Sequence, residues 1–322
     1  MDSETYDAIV VGGGIAGLQA SIQLGRYMHS VLVIDKGTGR STLCRSYHNV
    51  LGYPDGVAGE ELRAIGRRQA ETYGVRFRVE EAVRADRLEG GRFRVGGSSG
   101  AEFEADVLLI ATGVTDRLPD VPGLKPCLGR TVYICPDCDG YEVRGKRTVV
   151  LGSGKAGAGM ALALRYFTDK LALVNHAFLG RPAEAIPEQL ERRLQADGIE
   201  VMTGSIAEVL VQGDGLFAGV RLSDGREIAG ERAFTGFGGN EVNTELFRQL
   251  GAERMESKHV IADPRTKMTS VPGLFAAGDV GVHSEQLTIA MGEGQQAAIW
   301  MHKSLLQRRQ AAKDNRQPAG KR

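Results

Sequence analysis

The sequence predicts an α/β protein built from two copies of one βαβ unit, and three observations predict it. The chain has 322 residues, more than one hydrophobic core usually serves, so two domains are expected. A short apolar run at 6–11 leads into Gly12-Gly13-Gly14-Ile15-Ala16-Gly17; a helix-like segment follows, and then a second apolar run, 31–35, ending on Asp35. The same succession returns without a gap at a constant offset of 140. Gly12, Gly14 and Gly17 fall on Gly152, Gly154 and Gly157, Leu24 falls on Leu164, and Asp35 falls on Asn175. Repetition of a βαβ unit means two Rossmann-like domains.

The elements follow in order. Run 6–11 is a buried parallel strand. Gly12 permits a tight turn, Gly14 lets a pyrophosphate approach the backbone, and Gly17 lets helix and strand pack closely. The helix N-terminus favours the negative pyrophosphate. Asp35, eighteen residues beyond Gly17, is placed to accept hydrogen bonds from a ribose hydroxyl. Hairpin-like strands at 88–95 and 102–110 end in Ala111-Thr112-Gly113. The second copy starts at 148–151, carries its helix, and reaches a strand at 171–175; a β-rich stretch follows at 201–228. Residues 274–277 are apolar and end in Gly278-Asp279, and a helix is expected over 286–306. Two strand-end turns beyond the first glycine turn suit a long ligand, and FAD is the dinucleotide expected there, with Asp279 on its ribityl chain. From about Gln307 the chain is polar and basic and is expected to be a disordered tail.

Composition narrows the function. Hydrophobic residues make up 42%, normal for a globular chain. Forty basic and forty acidic residues cancel, so no field favours nucleic acid or an acidic membrane surface. No apolar run reaches the ~18 residues of a membrane span. The opening Met1-Asp2-Ser3-Glu4 is acidic where a secretory leader is basic, which leads to an expectation of cytoplasm. Structural disulfides are rare there.

That directs attention to Cys135-Pro136-Asp137-Cys138-Asp139-Gly140. A Cys-x-x-Cys pair lowers one thiol's pKa into the physiological range, and its sulfurs can close and open a small ring. Asp139 is positioned to supply or take a proton. Structural zinc is the competing chemistry, but it wants four ligands, and only Cys44, Cys127 and six scattered histidines are available. Two inert thiols are the third possibility. Cys44 and Cys127 are expected to be small buried or surface residues, with a resolving role for Cys127 left open.

With these segments in view, the chain resembles the low-molecular-weight thioredoxin reductase family of flavoproteins. The resemblance rests on Gly12-Gly13-Gly14-Ile15-Ala16-Gly17, His48-Asn49, Gly52-Tyr53-Pro54, Ala111-Thr112-Gly113, Cys135 to Gly140, Gly278-Asp279-Val280 and Gln286, in the family's order. It implies an α/β fold of two Rossmann-like, three-layer ββα dinucleotide-binding domains, the second inserted in the first. The FAD domain would comprise 1–114 and 245–322, and the inserted NAD(P)-like domain 115–244. It implies that Cys138 exchanges electrons with flavin, that Cys135 forms the mixed disulfide with a thioredoxin-like protein, and that Asp139 moves protons. FAD contacts are then expected from Gly12, Gly14, Ala16, Gly17, Asp35, Lys36, Asn49, Ala111, Thr112, Gly113, Gly278, Asp279, Gln286 and Leu287. A homodimer is implied, as is rotation of the inserted domain about linkers near 115 and 245, with Gly236, Gly238 and Gly239 as a hinge.

The second glycine turn departs from the family pattern. Asn175 stands where a carboxylate would hold a ribose diol, and the amide is a weaker acceptor. The segment Asn175-His176-Ala177-Phe178-Leu179-Gly180-Arg181 lacks the His-Arg-Arg cluster that would hold a 2′-phosphate; only His176 fits. NADPH use is therefore doubtful, the glycines persisting for packing, and ferredoxin or another donor is an alternative. Two other functions stay open: a flavin-dependent NAD(P)H or ferredoxin reductase or oxidase, and a non-catalytic flavin-bearing redox sensor. His283 is expected to be a loop residue, Tyr47, Tyr53 and Trp300 to pack as aromatics, and Arg192-Arg193 to lie on a solvated face with Glu188 and Glu191.

Overall fold

The computed structural model describes residues 4–178, 181–282 and 285–314. These form two compact units, one made of the chain up to Thr42, Glu60–Thr115 and the part from Val242 on, the other of Leu43–Gly59 and Asp116–Glu241.

In the first unit, seven strands among the described residues form one sheet. Arg76–Val79, Val31–Asp35, Glu4–Val11 and Glu102–Ile110 run parallel in that spatial order. The long strand Glu102–Ile110 shares its far edge. Residues 102–105 pair antiparallel with Phe93–Gly97, and residues 108–110 pair parallel with Leu274–Ala276. Ala82–Arg87 extends the antiparallel part. The hairpin expected at 88–95 is shifted: Glu89–Gly91 is a 3-10 turn, with Gly90 and Gly91 at φ 72° and 74°, so the strand begins only at Phe93.

Side chains alternate across this sheet as strand geometry requires. Ile9, Val11, Leu108 and Ile110 join Phe93 and Phe247 in one buried cluster. Ala8, Val10 and Leu109 join Leu24, Ala297 and Met301 in the other, beneath helices Ile15–Arg26 and Leu287–Asp314. The two helices touch because Gly294 carries no side chain; a Cβ there would overlap the Ala16 carbonyl. The last helix continues past the point where a disordered tail was expected. Its Arg308 donates to the Gly91 carbonyl (2.8 Å) and its Arg309 to Asp7 (2.8 Å), so polar residues anchor what composition alone reads as solvated.

The second unit repeats the plan. Glu200–Gly204, Leu171–His176, Thr148–Gly152, Arg232–Gly236 and Val132–Tyr133 form a parallel sheet in that order. Val150, Leu173 and Phe234 face helix Gly154–Leu164 and Leu194 of helix Glu188–Ala196. Val149, Leu151 and Val174 face the antiparallel strands Ile206–Gln212, Leu216–Leu222 and Glu227–Ala229. Arg192 and Glu188 pair on the exposed side of their helix (3.6 Å).

Residues 43–59, expected in the first domain, pack instead with the second unit. The Arg45 amide donates to Gly129 O (3.1 Å), and Gly129 sits so close to the Leu43 carbonyl that any side chain there would overlap it. Among the described residues, no helix is long and apolar enough to cross a membrane.

Candidate functional site

The first unit brings four strand ends together. Glu4–Val11, Val31–Asp35, Glu102–Ile110 and Leu274–Ala276 run the same way, so Gly12, Asp35, Ala111 and Gly278 follow their carboxyl ends at one edge. In α/β sheets this edge is where ligands bind. Gly12 adopts φ 104°, and a Cβ on it would overlap the Ala111 carbonyl; a Cβ on Gly17 would overlap the Gly12 carbonyl. Glycine at both positions is a requirement of packing. Gly14 differs: no heavy atom lies within 4 Å of where its Cβ would be. It precedes the first amides of a twelve-residue helix, so open space, backbone donors and the positive helix end coincide.

Asp35 pins this turn. Its Oδ1 accepts from the Gly13 amide (2.9 Å), and its Oδ2 accepts from Arg63 (2.6 Å) and the Gly37 amide (3.2 Å). The Thr112 hydroxyl donates to Asn243 O (2.6 Å), and Asn243 Nδ2 donates back to Thr112 O (3.1 Å), which fixes the Ala111–Gly113 turn. Gly278, at φ 78°, approaches Ala16 so closely that a Cβ would lie 3.0 Å from the alanine's own. Its amide donates to Glu293 (2.9 Å), and Asp279 accepts from Arg40 (3.0 Å), which also pairs with Glu285. Gln286 O accepts the Ala290 amide (2.9 Å), and Leu287 is buried where the last helix begins.

Lys36 is exposed and pairs with Glu81 (3.8 Å), and Asn49 is exposed and belongs to the second unit. Arg40 and Arg63 went unnoticed in the sequence, since neither lies near its partner along the chain. His283 lies outside the described residues, as do Leu179 and Gly180.

The cysteine pair lies in the second unit. Cys135 and Cys138 are joined as a disulfide, with Cα atoms 5.3 Å apart across the single helical turn Pro136–Asp139. Pro136 starts that turn, and the Cys138 and Asp139 amides both donate to Cys135 O (3.2 and 3.0 Å). Both cysteines are half-buried. The sulfurs hold each other, an arrangement that thiol–disulfide exchange can open and close.

Asp139 follows directly. Burial pushes its carboxyl pKa up to about 7, the charge of Glu142 pushes the same way, and His48 opposes. His48 Nδ1 lies 2.9 Å from Glu142 Oε1, and its Nε2 lies 3.0 Å from the Ser46 hydroxyl. Segment 43–59 thus supplies a histidine and a half-buried thiol to the surroundings of Asp139. That thiol, Cys44, is pushed up to about 12 by burial and then by the charge of Asp139. Cys127 is buried and also shifted upward by burial. Thiolate is the reactive form, so both are inert near neutral pH.

The second glycine turn keeps the packing of the first. A Cβ on Gly152 would lie 2.8 Å from the Gly236 carbonyl, and one on Gly157 would lie 3.0 Å from Gly152. Asn175 Oδ1 accepts from the Gly154 amide (2.9 Å), much as Asp35 accepts from Gly13. The space ahead of the turn is different. A Cβ on Gly154 would lie 2.8 Å from Glu184 Cβ, 3.0 Å from its Oε2 and 3.4 Å from Ala185 O. Asn175 Nδ2 donates to Glu184 O (3.0 Å) and ties that residue down. His176 is buried edge-on against Phe178 and Phe237, accepts the Ile206 amide (3.0 Å), and has its pKa lowered by burial. It is a core residue, neutral near pH 7 because burial disfavours its charged form.

Over residues 6–294 the sequence matches the family described as pyridine nucleotide-disulphide oxidoreductase. The chain belongs to this family. It is 32% identical over 301 residues to the thioredoxin reductase of Treponema pallidum, covering 91% of this chain and 95% of that protein. Among solved structures it is similar to HlmI, with 28% identity, a TM-score of 0.86 and 98% of each chain covered. It is also similar to the thioredoxin reductase from Streptococcus pyogenes MGAS5005, at 25% identity and a TM-score of 0.83 over 95% of this chain and 100% of that one. The fold class expected from the sequence, two Rossmann-like dinucleotide-binding domains, agrees with these structures. The chain is an oxidoreductase of the thioredoxin reductase-like, flavin-dependent disulfide kind.

Proposed function

We propose that this enzyme passes electrons from FAD through Cys135–Cys138 to a disulfide of a thioredoxin-like protein. One observation carries the proposal: a bonded cysteine pair on a single helical turn, with a half-buried acid of near-neutral pKa directly behind it. FAD fits the first unit. Gly12, Gly14, Ala16 and Gly17 would hold its pyrophosphate at the open helix end, Asp35 its ribose, and Ala111, Thr112, Gly113, Gly278, Asp279, Gln286 and Leu287 its remaining length.

When bound, FAD supplies two electrons to the disulfide. The chain's own residues complete the exchange. Reduction breaks the Cys135–Cys138 bond and gives two thiols with the uptake of two protons. A thiolate at Cys135 attacks the partner's disulfide and forms a mixed disulfide. The Cys138 sulfur then attacks Cys135, the internal bond re-forms, and the partner leaves as a dithiol. Asp139, near pH 7, holds its proton long enough to give it and loses it readily enough to take one back.

We also infer that NADPH is not the physiological donor, because Asn175 replaces a carboxylate and His176 is buried and neutral. A homodimer in the cytoplasm completes the proposal, on the likeness to the family. The test is anaerobic: the purified protein is titrated with NADPH, NADH and reduced ferredoxin while its visible spectrum is followed, and thioredoxin disulfide is then added. Flavin bleaching without NADPH, followed by recovery on adding thioredoxin, is expected. Rapid bleaching by one equivalent of NADPH would remove the donor part, and bleaching that thioredoxin never reverses would remove the acceptor part.

A further inference from the structure

The second unit carries every glycine a nucleotide turn needs, yet the position that must receive phosphate is filled from within. Three observations converge on it. Glu184 and Ala185 stand where a pyrophosphate would approach Gly154, with Glu184 Oε2 3.0 Å from the site of an added Cβ. The Gly154 amide, a donor that a phosphate oxygen would use, is already donated to Asn175 Oδ1 (2.9 Å). The other end of the same amide side chain holds Glu184 O (3.0 Å), so one residue both takes the donor and fixes the obstruction. The corresponding glycine of the first unit, Gly14, has nothing within 4 Å.

We propose that Glu184, held across Gly154 by Asn175, closes the second glycine turn to dinucleotides and so determines that pyridine nucleotides are excluded. The exclusion has a steric part and a charged part. The strap takes the volume, and its carboxylate would meet a pyrophosphate that carries the same sign of charge. His176 adds nothing to offset this, since it is buried and neutral. The inference deepens the proposed donor preference by naming the residues behind it, and it rests on that preference. Its test reads binding without turnover, so a failure of the disulfide-exchange proposal would leave it untouched.

The experiment is equilibrium dialysis of the full-length flavoprotein against NADP⁺ and NAD⁺, with flavin absorbance and melting temperature as checks on folding. The wild type is expected not to saturate with either nucleotide at millimolar concentration. The double variant Asn175→Ala with Glu184→Gly is expected to bind one of them about a hundredfold more tightly or better, the scale on which like-charge juxtaposition discriminates partners. Should the double variant lose its fold, Glu184→Gly alone keeps the Asn175–Gly154 bond and is expected to show the same gain, reduced. Micromolar binding by the wild type overturns the proposal. So does a folded variant that binds no better than the wild type.

Discussion

The two glycine turns of this chain share a backbone plan and differ in what lies ahead of it. Gly12 and Gly17 in one, Gly152 and Gly157 in the other, let strand and helix meet with no side chain between them. Asp35 and Asn175, at the same point of the repeat, both hold a turn amide at 2.9 Å. Gly14, however, faces open space, while Gly154 faces Glu184. The difference shows that a glycine fingerprint records two separate requirements. One is close packing of strand and helix, which both copies meet. The other is open space beside the middle glycine, which Gly14 has and Gly154, beside Glu184, lacks.

Substitutions on either side of that contrast should behave differently. The largest effect is expected at the cysteines, which only one unit carries. Cys138→Ser should lower thioredoxin-disulfide reduction by roughly a thousandfold or more, while the flavin spectrum stays intact. Retained turnover would mean that the pair does not carry the electrons. Next in size is Gly14→Val. With open space at that Cβ the fold should melt within about 1 kcal/mol of the wild type, yet the protein should purify without its yellow colour. Gly154→Val should behave oppositely, keeping the flavin but losing about 1–3 kcal/mol, because φ is 50° there and Glu184 is in the way. If both variants lost flavin alone, the two turns would not differ as described.

A third comparison concerns the glycines that serve packing. Gly17→Ala should cost about 3 kcal/mol, since its Cβ would strike the Gly12 carbonyl, and Gly157→Ala about 1 kcal/mol, since its contacts start at 3.0 Å. Chemical denaturation of the two variants reads the order directly. A pH-dependent effect follows from Asp139. Its folded pKa, about 7, lies above the ordinary carboxylate value, so it contributes stability at low pH that is lost as pH rises through about 7. Asp139→Asn should therefore gain on the wild type above neutral pH, by on the order of 2 kcal/mol after allowance for partial exposure. A stability difference that does not change between pH 5 and pH 9 would show that the carboxyl is not perturbed.

Much of this was legible in the sequence, for identifiable reasons. Strands 6–11 and 148–151 are continuous apolar runs, and the offset of 140 aligns the copies without gaps. The cysteine pair is local, so a small ring between its sulfurs was among the readings its spacing allowed. What stayed hidden depends on contacts between distant residues. Glu184 comes beside Gly154 from a stretch whose residues carry no periodicity, and His48 meets Glu142 across 94 positions. Segment 43–59 joins the second unit through the Gly129 contact, which no pattern within the segment announces. The final helix overran its expected end because Arg308 and Arg309 look like tail residues until Gly91 and Asp7 are seen as their partners.

The central claim is that one open turn holds flavin and that flavin exchanges electrons with the Cys135–Cys138 bond. It is tested most directly by anaerobic reductive titration of the flavoprotein with dithionite, followed by alkylation and mass mapping of the cysteines. Uptake of twice the electrons that the flavin alone requires is expected, with Cys135 and Cys138 as the newly alkylated residues. Full reduction of the flavin at half that amount, with the two sulfurs still bonded to each other, would contradict it.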